Sequence, residues 1–437
     1  MIIIFFNDLL IFNYLMKKIL LKGVLHEGKK VDILIEGNRF KKISENIEDE
    51  EAEKIPCKGK AILPAFYNCH THISMTLLKG LTDEKELMQW LQEDIWPREA
   101  KMKPQDIYVA SKFAILEMIK GGIVFCNDMY QYSEETMKAI DEMGIRGVVS
   151  KPEINITYTP EEFEEKKKKV LDFIDHPNIN ENRIIKGISC HSVYTLSEEF
   201  LRFYSDLAKK LNMFLHIHAC ETKKEVDDCQ KAHNCSPIEY LEKLGLLTEK
   251  TMLAHCVHLT EKDMDIIKKH DCKIAHCPIS NMKLKSGMMA YEELQKKGIT
   301  VTLGTDGSAS NNCLSMLSEM KVSALTAKTQ AKDSKAGSVQ DIFNTATVNG
   351  AKAFGIDAGE IKEGKLADFI LLDLKHYLLL PNYNLISNLV YSAQNDCITD
   401  VFCDGVQLMK DRKVKGEEQI CEEFEIVSEK FKELDNK

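Results

Sequence analysis

The sequence predicts an α/β protein: a (β/α)8 TIM-like barrel carrying a small β-sandwich domain formed by both chain ends. Three observations carry this expectation. Eight apolar, β-rich runs recur through the middle of the chain, and stretches of helical periodicity separate most of them. Near-continuous apolar runs alternating with helices are the pattern of a parallel sheet covered on both faces. Both chain ends carry short strands and tight turns instead. Polar residues then gather at the C-terminal ends of the central runs, the end where barrels of this kind build their sites.

The first fifteen residues, "MIIIFFNDLLIFNYL", are apolar but lack a basic leader and a small-residue cleavage site, and Asp8 interrupts them. They are too short for a spanning helix. Met16 opens "MKKILLKGVLHEGKK", which reads as a natural first strand. The expectation is that Met16 is the true start and that residues 1–15 are a mis-called extension. An interfacial or signal-like segment is the alternative. From Lys17 to Lys60 short strands follow, in "KKILLKGVL" and "KVDILIEGNRFKKI". The far end repeats the style in "GKLADFILLDL" and "ITDVFCDGVQLMKD". Residues 16–62 and 360–437 are therefore expected to form one composite β-sandwich domain, and residues 63–359 the barrel.

The eight barrel runs are "AILPAFYNCHTH", "GGIVFCNDM", "IRGVVSKPEI", "IIKGISCHS", "MFLHIHAC", "TMLAHCVHL", "KIAHCPIS" and "TVTLGTDG". Between them lie helical segments such as "QDIYVASKFAILEMIK" and "SEEFLRFYSDLAKKL". Eight such units over about 290 residues fit a (β/α)8 barrel. A doubly wound sheet is the alternative, but no G-x-G-x-x-G follows the first strand.

Composition excludes several function classes. The 437 residues are 44% hydrophobic and 29% charged, an ordinary globular balance. Net charge is -10, which argues against nucleic acid as a partner. The run Lys166–Lys169 follows a run of glutamates and reads as a solvated helix face. Fourteen cysteines occur without a C-x-x-C, several of them (Cys126, Cys256, Cys272) inside apolar runs. They read as reduced, buried thiols of a cytoplasmic protein.

The polar run ends define a constellation. Run one ends in His70 and His72, and run four in His191. Run five carries His216 and His218, with Glu221 just beyond; run six carries His255 and then His258; run seven carries His276; run eight ends in Asp306. Residues two apart on a strand share a face, so His70 and His72 can present two imidazoles to one ion. Alone, such a pair reads as two polar residues ending a strand. Set among the other run ends it reads as a metal site, which His218 and Asp306 complete. That N3O set suits one divalent ion, Zn²⁺ first and Fe²⁺ as the alternative. Such an ion lowers the pKa of bound water from about 15.7 toward about 7, giving hydroxide at neutral pH.

Glu221, three residues past His218, is placed to shuttle a proton to a leaving amine. His255 is placed to hydrogen-bond the attacking water. Asp306 can both ligate the ion and take the water's proton. His216 lies one layer deeper and reads as a core histidine, and His258 and His276 as structural or supporting. Lys186 stands at the wrong end of run four to bridge a second ion, so one metal is expected. The sequence has no H-x-E with P-C-x-x-C, no H-E-x-x-H, no P-loop and no G-x-S-x-G.

The blocks "NCHTHISMTLLKGL", "LMQWLQEDIWPREA", "HIHACET", "LAHCVHL", "HCPISNMKLKSG", "LGTDGSASNN", "TATVNGAKAFG" and "GEIKEGKLADFILLD" resemble the amidohydrolase superfamily. Within it they are most similar to the 5-methylthioadenosine/S-adenosylhomocysteine deaminase family, from about Met16 to about Lys415. The resemblance implies the same barrel and sandwich. It implies a metal on His70, His72, His218 and Asp306, and substrate contact from Glu99 (in "IWPREA"), His191, Glu221 and Asp306. Glu221 takes the proton-shuttle role and His255 the water-orienting role. Trp90 and Trp96 wall the pocket or simply pack. Arg146, in "GIRGVVS", is the candidate for a polar ligand tail, with Lys151 the next basic position.

The activity implied is hydrolytic deamination of adenosine-type thioether nucleosides (5'-methylthioadenosine, S-adenosylhomocysteine, and adenosine) to the inosine analogues plus ammonia. The nearest alternative keeps the fold but changes the ring: a guanine or cytosine deaminase, or an s-triazine chlorohydrolase. A non-catalytic barrel acting as a binding partner would have lost its ligands, and every expected ligand is present. The expected partner is a small nucleoside, with no nucleic acid and no membrane. A homo-oligomer is compatible with this reading.

Overall fold

The computed structural model describes residues 17–154 and 159–435. The expectations for Met16 and for residues 1–15 lie outside them.

The N-terminal strands are β1 (Lys18–His26), β2 (Lys29–Glu36), β3 (Arg39–Ser44), β4 (Glu53–Pro56) and β5 (Lys60–Pro64). Eight strands follow: β6 (Phe66–Thr71), β7 (Ile123–Met129), β8 (Arg146–Glu153), β9 (Ile184–Ser192), β10 (Leu215–Ala219), β11 (Thr251–His255), β12 (Lys273–His276) and β13 (Val301–Leu303). The C-terminal strands are β14 (Phe369–Asp373), β15 (Ile398–Cys403), β16 (Val406–Lys410) and β17 (Lys413–Val414).

β6 to β13 form one parallel sheet in sequence order, the barrel. All residues of β7, β10 and β11 are buried, which is why these runs read as continuous apolar strands. The helices between strands cover the outer face.

The barrel closes between β13 and β6 without a regular ladder among the described residues. Side chains stitch the seam instead. Asn68 Nδ2 donates to Thr305 Oγ1 at 2.7 Å, and Thr305 N donates to Asn68 Oδ1 at 3.0 Å. Asp306 N donates to the His70 carbonyl at 3.0 Å. Gly304 makes this approach available: a Cβ there would lie 2.8 Å from both Cβ and O of His70.

The two chain ends build a mixed nine-stranded sheet in the order β17-β16-β15-β14-β5-β1-β2-β3, with β4 added on β1. It curls, so that Phe40 of β3 lies 5.7 Å from Phe369 of β14, and Phe369 stacks on Phe402 at 4.3 Å. β14 pairs with β5, so the C-terminal strands are fastened to the strand that leads directly into β6.

One element is absent from the sequence reading. Residues 417–435 form a helix rather than further strand. Its Phe424 stacks on Phe113 of the helix Pro104–Lys120 at 3.9 Å. Its Phe431 joins an apolar cluster with Trp90, Leu91, Tyr130 and Leu284 beside the barrel mouth. No helix among the described residues is long and apolar enough to cross a membrane.

Candidate active site

Six histidines and three acidic residues meet at the C-terminal rim of the barrel. His70 and His72 stand at the end of β6 and just beyond it, and their rings lie edge to face at 5.0 Å. His218 projects from β10 beside His72, the two Nε2 atoms 3.3 Å apart. Asp306, just past β13, places Oδ1 3.3 Å from His70 Nε2 and 3.4 Å from His72 Nε2. Candidate ligand atoms of His70, His72 and His218 lie within 4.8 Å of one another, as do those of His70, His255 and Asp306.

Each inner imidazole is oriented by a partner on its other nitrogen. His72 Nδ1 faces the Met129 carbonyl at 2.6 Å, and His218 Nδ1 the His191 carbonyl at 2.6 Å. His70 Nδ1 meets His216 Nε2 at 2.8 Å. Fixing Nδ1 from outside leaves Nε2 free to face inward, the arrangement that metal-binding histidines share. His216, read from sequence as a core histidine, is thus the partner of His70.

Two observations test whether this set fits a divalent ion. His70 Nε2 is buried and makes no hydrogen bond of its own, although a carboxylate oxygen is close by. Burial also keeps two of these rings neutral: it holds His70 down at about 4 and His218 well below the ordinary histidine value. Neutral imidazoles facing an ionised carboxylate are the protonation state in which a metal binds. The Asp306 carboxyl is pushed upward by burial, but hydrogen bonding and charge from His70 dominate and hold it well below the usual range. The residues fit one ion bound by His70, His72, His218 and Asp306.

Glu221 and His255 face this cluster, with His255 Nε2 3.7 Å from Glu221 Oε2. Burial raises the Glu221 carboxyl above its ordinary value, and the nearby Asp306 charge adds to it. For His255, burial pulls the ring down, but Glu221, Asp306 and Asn281 outweigh it and leave the ring above the ordinary value. Three of the turns carrying these groups have left-handed backbone at residues other than glycine: Cys220 (φ 52), His255 (φ 72) and Asp306 (φ 59). Such conformations cost of order 1–3 kcal/mol each and persist where surrounding structure over-determines them.

The cluster forms the floor of a cavity of about 640 Å³. Trp90, Trp96, Met75, Leu284, Tyr130 and Tyr194 supply apolar and aromatic wall, and Glu99 and His191 line it too. Glu99 is raised above its ordinary value by burial, against a hydrogen bond from Tyr130. His191 Nδ1 lies 3.0 Å from Thr195 Oγ1. Lys151, Glu153, Lys166 and Lys169 also line the cavity.

Arg146 is a correction to the sequence reading. It is the first residue of β8, so the strand rise of about 3.3 Å per residue puts it some 20 Å from the site end. Its guanidinium is buried against Asp368 at 2.9 Å and Asp404 at 2.5 Å, beneath the barrel. It cannot reach a ligand in the cavity, whereas Lys151, further along the same strand, does line it. Lys186 also lies away from the site. Its ammonium caps the helix Pro160–Asp175 through the carbonyls of Ile174 and His176.

Sequence reasoning did not find Ser280, Asn281, Ser286 and Ser310, which hydrogen-bond Asp306, His255 or Glu221. Ser280 Oγ donates to Asp306 Oδ2 at 2.6 Å, and Ser310 Oγ to the same oxygen at 3.0 Å. Their place inside the quoted blocks "HCPISNMKLKSG" and "LGTDGSASNN" was the available signal.

A sequence profile of the amidohydrolase family matches residues 61–408. A 5'-deoxyadenosine deaminase of Methanosphaera stadtmanae is 42% identical over 388 residues, 88% of this chain and 91% of that protein. A 5'-deoxyadenosine deaminase of Methanocaldococcus jannaschii is 41% identical over 413 residues, 93% of this chain and 98% of that protein. Among solved structures, an adenosine deaminase from Xanthomonas campestris with bound zinc superposes with a TM-score of 0.88 at 27% identity, covering 95% of this chain and 98% of its own.

Proposed function

The chain belongs to the amidohydrolase family, and from that premise we propose that it hydrolytically deaminates adenosine-type nucleosides with a deoxy or thioether 5' group, using zinc. The observation that carries this is the Glu221–His255 pair, 3.7 Å apart, facing the His70, His72, His218 and Asp306 cluster on the floor of one cavity. The relatives named 5'-deoxyadenosine deaminases support the nucleoside class. Zinc is chosen over iron because the N3O donor set suits it and because the Xanthomonas campestris structure holds it.

In the reaction, water adds to C6 of the adenine ring, the C6–N bond to the amino group breaks, ammonia leaves, and a C6 carbonyl remains. The ion, when bound, acidifies water so that a nucleophile is available at neutral pH. The chain's own groups handle the protons. Glu221, kept protonated more readily by its burial, gives a proton to the ring nitrogen beside C6 as water adds. Asp306 accepts the proton that water loses, and His255, through its Nε2 lone pair, accepts a hydrogen bond from the attacking water and orients it. As the C6 carbonyl forms, the second proton of the added water and the one held on Asp306 are released; one passes through Glu221 to the departing amine and the other restores Glu221.

Glu99 and His191 are assigned to the nucleoside. A cavity of about 640 Å³ sits within the roughly 300–1,000 Å³ of small-molecule sites, with room for adenosine and a short 5' substituent. The apolar wall suits a methyl or thioether group. A charged 5' tail would meet Lys151, Glu153, Lys166 and Lys169. A cytoplasmic setting belongs to the same reading, because all cysteines are free and all but Cys313 and Cys421 are buried.

The test is ammonia release, with the ultraviolet shift from adenine to hypoxanthine. Zinc-loaded protein is incubated with 5'-deoxyadenosine, 5'-methylthioadenosine, S-adenosylhomocysteine and adenosine, beside guanine, cytosine and a chlorinated s-triazine. Turnover of the first group is expected. Turnover confined to the free bases or the triazine would overturn the substrate assignment and leave the barrel in place.

A further inference from the structure

The helix Pro278–Lys283 and the turn after it are not assigned by the reaction above, yet they touch every proton-handling group. Ser280 Oγ donates to Asp306 Oδ2 at 2.6 Å. Asn281 Oδ1 lies 2.8 Å from His255 Nδ1, and Ser286 Oγ donates to Glu221 Oε1 at 3.3 Å. All three side chains are buried.

The segment is itself well tied. Ser286 N and Gly287 N both donate to the Asn281 carbonyl, at 2.8 and 3.3 Å. His258 Nε2 faces the Ser286 carbonyl at 2.6 Å, and Ile279 N donates to the buried Glu319 at 3.3 Å. A shift of this turn would therefore move the partners of Glu221 and His255 together.

We propose that Ser280, Asn281 and Ser286 form one positioning element, which sets the tautomer of His255 and the rotamers of Glu221 and Asp306 for proton transfer. This rests on the deaminase reading. The chemistry follows from the donors. With Asn281 Oδ1 accepting from Nδ1–H, the His255 Nε2 atom carries its lone pair toward Glu221 and the cluster. Ser286 occupies one lone pair of Oε1, so Oε2 is the oxygen turned to His255. Ser280 and Ser310 occupy Oδ2 of Asp306, which leaves Oδ1 facing His70 and His72.

Two measurements test it. In metal-free protein with ¹⁵N-labelled histidine, His255 (assigned by its loss in a His255→Gln protein) is expected as the Nδ1–H tautomer. Asn281→Leu is expected to shift it toward Nε2–H. In zinc-loaded protein, Asn281→Leu and Ser286→Ala are expected to lower kcat by about 10- to 100-fold with KM changed less than about two-fold, and Asn281→Asp, which keeps an acceptor oxygen, to recover most of the loss. If Asn281→Leu fails to fold, Ser286→Ala and Asn281→Asp still carry the test. An Nε2–H tautomer in the unaltered protein, unchanged kcat, or a loss confined to KM would overturn the proposal. The tautomer is read without substrate, so failure to deaminate any nucleoside would sink the deaminase reading alone.

Discussion

His216 Nε2 lies 2.8 Å from His70 Nδ1, so a ring one layer down in the barrel fixes the orientation of a ring in the candidate metal cluster. Replacing His216 by Phe removes that partner while filling the space. Partners of this kind are worth about 10- to 100-fold in metal affinity, and chelator competition on His216→Phe should show a loss of that size. Unchanged affinity would make the contact incidental.

Glu221→Gln keeps size and polarity but removes the acid. Proton transfer by a positioned side chain contributes about 10²- to 10⁴-fold, so kcat should fall by that range, with metal content by elemental analysis unchanged. Near-normal turnover would take the proton shuttle away from Glu221.

Arg146→Met should damage stability rather than specificity. The substitution leaves Asp368 and Asp404 beneath the barrel without their guanidinium partner. Removing one member of a buried ion pair costs about 3–5 kcal/mol, which denaturant unfolding would read directly. At temperatures where the variant is folded, KM should be unchanged for every nucleoside, charged tail or not. A selective rise in KM for a charged tail would restore Arg146 to the ligand.

Asp32 predicts an acid limb in stability. Burial pushes its carboxyl up, but the Lys22 amine and the N–H groups of Ile47 and Gly23 outweigh that and hold it below its ordinary value. A depressed carboxyl stabilises the fold above its unfolded pKa, and that stability is lost as pH falls through the folded pKa. Asp32→Asn should therefore flatten the loss of unfolding free energy below the ordinary aspartate value of 3.8. An unchanged slope there would assign the acid limb to other carboxylates.

The sequence made the barrel and much of its rim legible for one reason. A fully buried parallel strand has few polar residues, so His70, His72, His218, His255 and Asp306 stand out at strand ends without any knowledge of contacts. Position within a run decided the harder cases. Lys186 lies near the start of its strand and away from the site, and Arg146 opens β8 and does likewise, although the resemblance had drawn it toward the ligand.

One feature needed three dimensions. Ser280, Asn281 and Ser286 act through a turn whose path their own residues do not announce. The C-terminal helix was legible but passed over: Ile420, Phe424, Val427 and Phe431 repeat at helical spacing. The short strands before it set the expectation for the whole end.

On the proposed ligand set, the closing seam of the barrel gives the ion a second task. His70 lies on the first barrel strand and Asp306 beyond the last, and among the described residues only side-chain stitches and isolated backbone bonds join those strands. A ligand shared by both is a clasp on the ring. Clasp and ring are then thermodynamically coupled: whatever strengthens closure tightens metal binding, and a weakened seam, as in Asn68→Ala, should loosen metal binding and shrink the fall in melting temperature that chelation causes. The coupling also orders events during synthesis. A ribosome must release Asp306 before the clasp has both halves, so a growing chain carries three histidine ligands in an open arc long before it can hold the ion as the finished protein does.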